Sequence, residues 1–352
     1  MNNKNFYLII MFLVLVSIFL ISVTFGPVFI SLKQIFQILL HNSGFNINLE
    51  ENSITKIQEV VLLNIRFPRI LLAILVGLGL GISGAILQGL FRNPLVDPGF
   101  IGVSSGAAVG AMIAIMFSHI ISVYFMASLV PFLLPILAMI GSFVTTILIY
   151  NVSKVANKTN IMVMLLAGIA INALSGSIIG LFVSVSSDTE LRSFTFWTLG
   201  GLDNADWGIL LILSFFIIVP SFIVYRMRKQ MDIFMLGDAE AHHLGLDVEY
   251  LKKKIILISS MIVGISVAFC GMIGFIGLVT PHLVRLFIGS NHKYLIPGSA
   301  LLGAILLSVS DLISKTIIAP AQLPVGVVTS AIGAPFFVWL IISQKNRFGY
   351  AE

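Results

Sequence analysis

Few residues of this chain have the type and spacing to make or break bonds. Its 352 residues include one cysteine and six histidines. Cys270 lies inside an apolar run with no second thiol, so there is no disulfide framework, and a small packing role fits it best. His242 and His243 are adjacent and so do not share a helix face, which argues against a metal site. No His-Glu-x2-His pair and no convincing serine site appears, so an intramembrane hydrolase is discounted. No Gly-x4-Gly-Lys-Ser/Thr phosphate loop appears either, so any ATP used must be hydrolysed on another chain. The chain is read as a non-enzyme with no catalytic residue, no metal and no covalently bound cofactor.

What must be positioned is therefore a pathway rather than a reaction centre. The chain is 58% hydrophobic and 10% charged, and its mean hydropathy is +1.07. Ordinary soluble domains are about half apolar and a quarter charged. Apolar runs near the roughly 18 residues that cross a bilayer recur from end to end, which predicts one all-α integral membrane domain over residues 1–352. The spans read as 6–25, 68–90, 99–117, 128–151, 160–184, 207–226, 253–272, 275–289, 296–318 and 324–343, about ten in one bundle. The 275–289 run is short for a crossing and is expected to pair with its neighbour as a broken element buried by protein. Residues 27–60 form an external segment in which Ile30 to Leu40 reads as an interfacial amphipathic helix and Asn42 to Lys56 as a polar loop.

An even number of spans puts both termini on one side. With both termini cytoplasmic, fourteen of the 20 Lys and Arg lie inside and six lie outside: Lys33, Lys56, Arg66, Arg69, Arg192 and Lys315. The basic residues are scattered rather than clustered with aromatics, so nucleic acid is not a partner despite the net charge of +5. Small residues recur at i, i+4: Gly77, Gly81, Ala85, Gly89; Gly102, Gly106, Gly110, Ala114; Gly168, Asn172, Gly176, Gly180, Ser184; and Gly326, Ser330, Ala334. Such faces mean close helix packing first and a pathway wall second. Pro98-Gly99 and Pro297-Gly298, each next to a small-residue span, hint at an internal duplication.

The longest cytoplasmic loop, 227–254, reads as two short helices joined at glycine between basic flanks. A helix-turn-helix under a bundle is what a membrane domain needs if a separate soluble motor pushes on it; a lysine-pinned loop on anionic lipid is the plainer alternative. Its Leu-Gly-x3-Ala-x2-Leu-Gly pattern, on Leu236, Gly237, Ala241, Leu244 and Gly245, resembles the coupling loop of the iron-chelate, haem and cobalamin permeases of ATP-binding-cassette importers. Four more segments resemble that family in the same order: Arg66-Phe67-Pro68-Arg69, Arg92-Asn93-Pro94 through Gly106-Ala107, Gly274-Phe275-Ile276-Gly277 through Arg285, and Leu323-Pro324-Val325-Gly326 through Phe337. The resemblance covers about residues 60–343, and several motifs in fixed order are more specific than any one.

The resemblance implies a homodimer around a central pathway in the cytoplasmic (inner) membrane. It also implies two cytoplasmic ATP-binding subunits that use ATP and Mg, and a solute-binding protein docking from outside. It assigns binding-protein docking to Arg66, Arg69 and Lys315, the last at a position where the family more often has arginine, which weakens bidentate docking there. Asp311 and Lys315 stand i, i+4, so a pair that neutralises itself is the equal alternative. Asn93 and Pro94 make a rigid bend, and the turn Asn157-Lys158-Thr159-Asn160 matches the inner gate in position, so Asn93, Pro94, Thr159 and Asn160 are pathway or gate candidates. The element Leu191 to Gly200 looks most like the haem-transporting branch, with ferric siderophores and cobalamin as the alternative cargoes. An ion-coupled secondary transporter would want ionisable residues near the midplane, and the spans supply almost none.

Overall fold

Phe67 to Leu90 holds no charge beyond its first turn except Arg69, and a glycine or alanine stands at every fourth position from Gly77, a pattern that suits a helix packed on all sides. A computed structural model of the chain, which describes residues 3–26, 28–42, 55–124 and 130–348, places this helix, α4, at the centre of the bundle. In chain order the first helices are α1 (Asn3–Thr24), α2 (Leu32–Asn42), α3 (Lys56–Val60) and, after a π-turn at Val61–Arg66, α4 (Phe67–Leu90). A 3-10 turn at Pro98–Ile101 leads into α5 (Val103–Tyr124), α6 (Val130–Val152) and a two-residue hairpin, β1 (Lys154–Val155) with β2 (Lys158–Thr159). Then come α7 (Ile161–Val185), α8 (Asp188–Leu199), α9 (Trp207–Arg226), α10 (Arg228–Phe234) and α11 (Asp238–His243). The chain continues with α12 (Val248–Cys270), α13 (Ile276–Phe287), α14 (His292–Thr316) and α15 (Val325–Phe348).

Eight of the described helices are long and apolar enough to cross a membrane, and the shorter apolar helices Val103–Ser118 and Ile276–Phe287 bring the set to the expected ten. The protein is an all-α integral membrane protein. The most apolar window of α4 is 83% buried, while those of α1, α6 and α7 are 22% buried, so α4 is the hub and the others present faces outward.

The hub is held by missing side chains. A Cβ on Gly77 would run into the Gly303 backbone of α14, one on Gly81 into Ser299, and one on Gly84 into Gly277 of α13. Gly106 and Gly110 of α5 lie equally close to Gly141 and Leu137 of α6, and Gly326 of α15 lies against the Leu199 carbonyl. Without a hydrophobic drive between helices in lipid, this close backbone contact is the chief source of packing energy. The series on α7 divides: Gly168 packs on the Phe100 carbonyl, whereas Gly176 and Gly180 face open space.

Two expectations are corrected. The span expected at 253–272 begins at Val248, because Asp247 caps the helix by accepting from the Tyr250 N–H at 3.0 Å, so Lys252 to Lys254 lie within α12. The element 191–200, to which the sequence alone assigns no conformation, is most of α8, started by a capping box between Ser187 and Glu190 and ended by Gly200. Pro98-Gly99 lies in a 3-10 turn but Pro297-Gly298 lies inside α14, so the two steps have no common structure. The polar loop expected at 42–56 falls largely at 43–54, outside the described residues. The short element α13 is joined to α12 by irregular backbone, Gly271 to Phe275, of which only Gly271 is buried, lying on the Trp197 carbonyl, while Gly274 is exposed; the Gly201 N–H donates to the Cys270 carbonyl at 2.8 Å.

Candidate functional sites

The loop between α9 and α12 folds because it has one apolar face and a precise stop. Met231, Phe234, Ala241 and Leu251 are buried in the main core, which pins α10 and α11 beneath the bundle. Gly237, at φ +126°, joins the two helices. At the far end of α11 the Gly245 N–H donates to the His242 carbonyl at 2.9 Å and the Leu246 N–H to the Ala241 carbonyl at 3.0 Å, with Gly245 at φ +80°. This is a Schellman closure, and it satisfies carbonyls that would otherwise end the helix unpaired. Of the five loop residues singled out in the sequence, Ala241 is therefore an anchor and Gly237 and Gly245 shape the turns. Leu236 and Leu244, at the two ends of α11 and each 61% exposed, are apolar side chains left uncovered.

This loop is tied to its neighbours by charge. Arg92, which precedes the Asn93-Pro94 bend, stacks its guanidinium 4.3 Å from the Phe234 ring centroid and donates to the Phe234 carbonyl at 2.8 Å and to Asp238 Oδ1 at 2.6 Å. The other Asp238 oxygen accepts from Lys252 Nζ at 2.8 Å. Burial pushes the Asp238 carboxyl up, but the hydrogen bonds from Lys252 and Arg92 outweigh it and hold the group below the usual carboxylate range. Asn93 Oδ1 accepts from the Leu95 N–H at 3.0 Å, fixing the bend ahead of Pro94. Thr159 ends β2, and Asn160 caps α7 by accepting from the Met162 and Val163 N–H groups. The hairpin turn uses positive φ at Ala156 and Asn157, a type I′ geometry.

On the opposite side lie the three cations that the resemblance assigns to docking. Arg66, Arg69 and Lys315 are all buried, because a cation inside a helix bundle must find its partners within the protein. Arg66 donates to the Val23 and Thr24 carbonyls at 2.6 and 3.0 Å and to that of Val28, closing the end of α1. Arg69 Nε meets Asp311 at 2.7 Å, while its Nη1 meets Asp203 at 2.9 Å and Gln322 at 2.6 Å. Lys315 bonds Ser22 and stands 3.5 Å from Asp311, so the self-neutralising i, i+4 pair is the arrangement present. Arg69 thus clasps three segments, α14, the turn after α8 and the turn before α15. The cations exposed on this side among the described residues are Lys33, Lys56 and Arg192.

Two cavities border these elements. One of about 370 Å³ is lined by Phe196, Trp197, Asp203, Asn204, Gly271 and Gln322. Another of about 470 Å³ opens beside α7 and is lined by Phe100, Ser104, Ser105, Asn172 and Gly176; Ser105 Oγ donates to Asn172 Oδ1 at 2.6 Å, and the amide of Asn172 donates to the Gly99 carbonyl at 3.3 Å. Sequence reasoning missed Asp203, Gln322, Lys252 and Glu249. Only the i, i+4 pairing of Asp311 with Lys315 was visible as a signal.

A bundle of apolar helices long enough to span a membrane, with a core-anchored helix pair between α9 and α12, is the frame of a polytopic membrane protein. The comparisons agree. The FecCD transport family matches residues 13–343, and the chain belongs to that family. It is 44% identical over 291 residues to the hemin transport system permease protein HmuU of Yersinia pestis, covering 81% of this chain and 84% of that one. It is 35% identical to the cobalamin import system permease protein BtuC of Halobacterium salinarum, covering 82% and 75%. A solved structure of a metal-chelate type ABC transporter in an inward-facing conformation matches with a TM-score of 0.79 and 29% identity, over 96% of this chain and 99% of that one. The chain is an ABC importer permease, a transport component.

Proposed function

We propose that this permease carries haem across the cytoplasmic membrane, as one half of a homodimer served by two ATP-binding subunits and an extracytoplasmic solute-binding protein. The observation that carries the energy reading is the α10–α11 pair: core-anchored through Phe234 and Ala241, it offers Leu236 and Leu244 to a partner surface. ATP and Mg act on the partner, and closure there would move α11 as a rigid piece. Haem is favoured over other chelates by the 44% identity to a hemin permease and by the aromatic α8 with Phe196 and Trp197 at the 370 Å³ cavity. Both termini lie in the cytoplasm on the charge distribution. Thr159 and Asn160, ahead of α7, and the Asn93-Pro94 bend are the inner gate elements. On the outer side Arg69 organises the docking surface by holding Asp203, whose side chain is 59% exposed, rather than by touching the binding protein itself.

The test is uptake into liposomes holding the permease with its ATPase, with the binding protein outside and ATP inside, offered haem, a ferric siderophore and cobalamin in turn. Accumulation of haem alone is expected; accumulation of cobalamin or siderophore without haem would overturn the cargo assignment.

A further inference from the structure

Two segments far apart in the chain meet on one ammonium group. Lys252, in the second turn of α12, is 4% exposed, and its Nζ donates to Asp238 Oδ2 at 2.8 Å, Glu249 Oε1 at 3.1 Å and the Thr159 carbonyl at 3.1 Å. Glu249 uses its other oxygen to accept from the Thr159 N–H at 2.7 Å. Both backbone polar groups of Thr159 are thus gripped by α12, and the next residue, Asn160, starts α7. Asp238, at the opposite end of the network, is the first residue of α11.

A nearly buried lysine is tolerated only while its charge is matched, and here two carboxylates match it. Asp238 belongs to the loop that a motor would push, whereas Glu249 belongs to α12 itself. Any displacement of α11 withdraws one of the two carboxylates and leaves the ammonium with Glu249 and the Thr159 carbonyl. The balance of bonds at Thr159 therefore depends on where α11 stands.

We infer that Lys252 is the positioning residue through which movement of α11 reaches Thr159 and the start of α7. This rests on the importer reading for its use in transport, but the link itself is a property of the chain alone. Among the described residues the hydrogen bonds of the Asp238 side chain lead to Thr159 through Lys252, which gives the inference a local readout.

The experiment is amide hydrogen exchange on the full-length chain in lipid nanodiscs, followed by uptake per ATP in the reconstituted assembly. Asp238→Asn, at a side chain 45% exposed, is expected to speed exchange at Thr159 to Met164 about tenfold, the size of one lost charge-assisted hydrogen bond, while amides in the middle of α12 keep wild-type rates. Lys252→Met is expected to do the same or more, and each variant lowers uptake per ATP. Wild-type exchange at Thr159 to Met164 in Asp238→Asn overturns the link, and faster exchange with unchanged uptake per ATP overturns its part in transport. If Lys252→Met does not fold, Asp238→Asn decides alone. Absence of ATP-driven uptake by the wild-type assembly overturns the importer reading instead, and the exchange data then decide the Lys252 link without it.

Discussion

Replacing Gly245 by valine isolates the turn that ends α11 from every packing effect. A Cβ added at Gly245 meets nothing within 4 Å, so the branch point itself creates no clash, and the chief cost is that of a backbone at φ +80°. Holding an L-residue in the left-handed region costs about 1–2 kcal/mol, with a β-branched side chain at the upper end. That cost depopulates the Schellman closure by roughly 5- to 30-fold relative to its opened forms. In the reconstituted assembly ATP hydrolysis should continue while uptake per ATP falls by a comparable factor. Gly245→Asn should behave almost as wild type, because asparagine enters the left-handed region readily. Wild-type coupling in Gly245→Val, or equal damage from asparagine and valine, would refute the claim that the geometry of this turn transmits force.

The outer clasp gives a stability prediction. Asp311→Leu removes the buried carboxylate that Arg69 and Lys315 share, leaving Arg69 with Asp203 and Gln322 and Lys315 with Ser22, and should cost about 3 kcal/mol, read as a lowered thermal unfolding midpoint in detergent, whereas Arg69→Met with Asp311→Leu should recover part of it. A single variant that unfolds with the wild type would show that the clasp is not formed. The Asp238 network gives a pH prediction. Its carboxyl is depressed in the folded chain, so the contribution of its contacts is complete above the unfolded value of about 3.9 and disappears as pH falls through the lower folded value. Protection of residues 236–245 against exchange should therefore hold flat from neutral pH to about pH 5 and decline only below about pH 4, and Asp238→Asn should remove the decline. A decline centred near neutrality would contradict this.

Most of the bundle could be read directly, because a membrane span is a matter of length and apolarity; α4, α7 and α9 lie within a residue or two of where hydropathy puts them. The start of α12 was misplaced because Lys252 to Lys254 resemble a loop flank, whereas a lysine buried among Asp238 and Glu249 is equally at home in a helix. The helix α8 was legible in principle, since Ser187 and Glu190 stand at capping-box spacing. The coupling loop was legible from its glycines, which the turns at Gly237 and Gly245 require. The outer cations show the limit of a position-only argument. Charge bias can place Arg66, Arg69 and Lys315 on a side of the membrane, but it cannot say whether they point out of the protein or into it. Their partners Asp203 and Gln322 lie 134 and 253 residues from Arg69, a separation no local pattern encodes.

The central claim is that this chain supplies a pathway whose energy comes from another protein, and the most direct measurement is uptake by liposomes in which only the energy source is varied. With the ATPase present, uptake should require ATP and persist when proton and sodium gradients are collapsed. Uptake by the permease alone, driven by an ion gradient without ATP or an ATPase, would contradict the account.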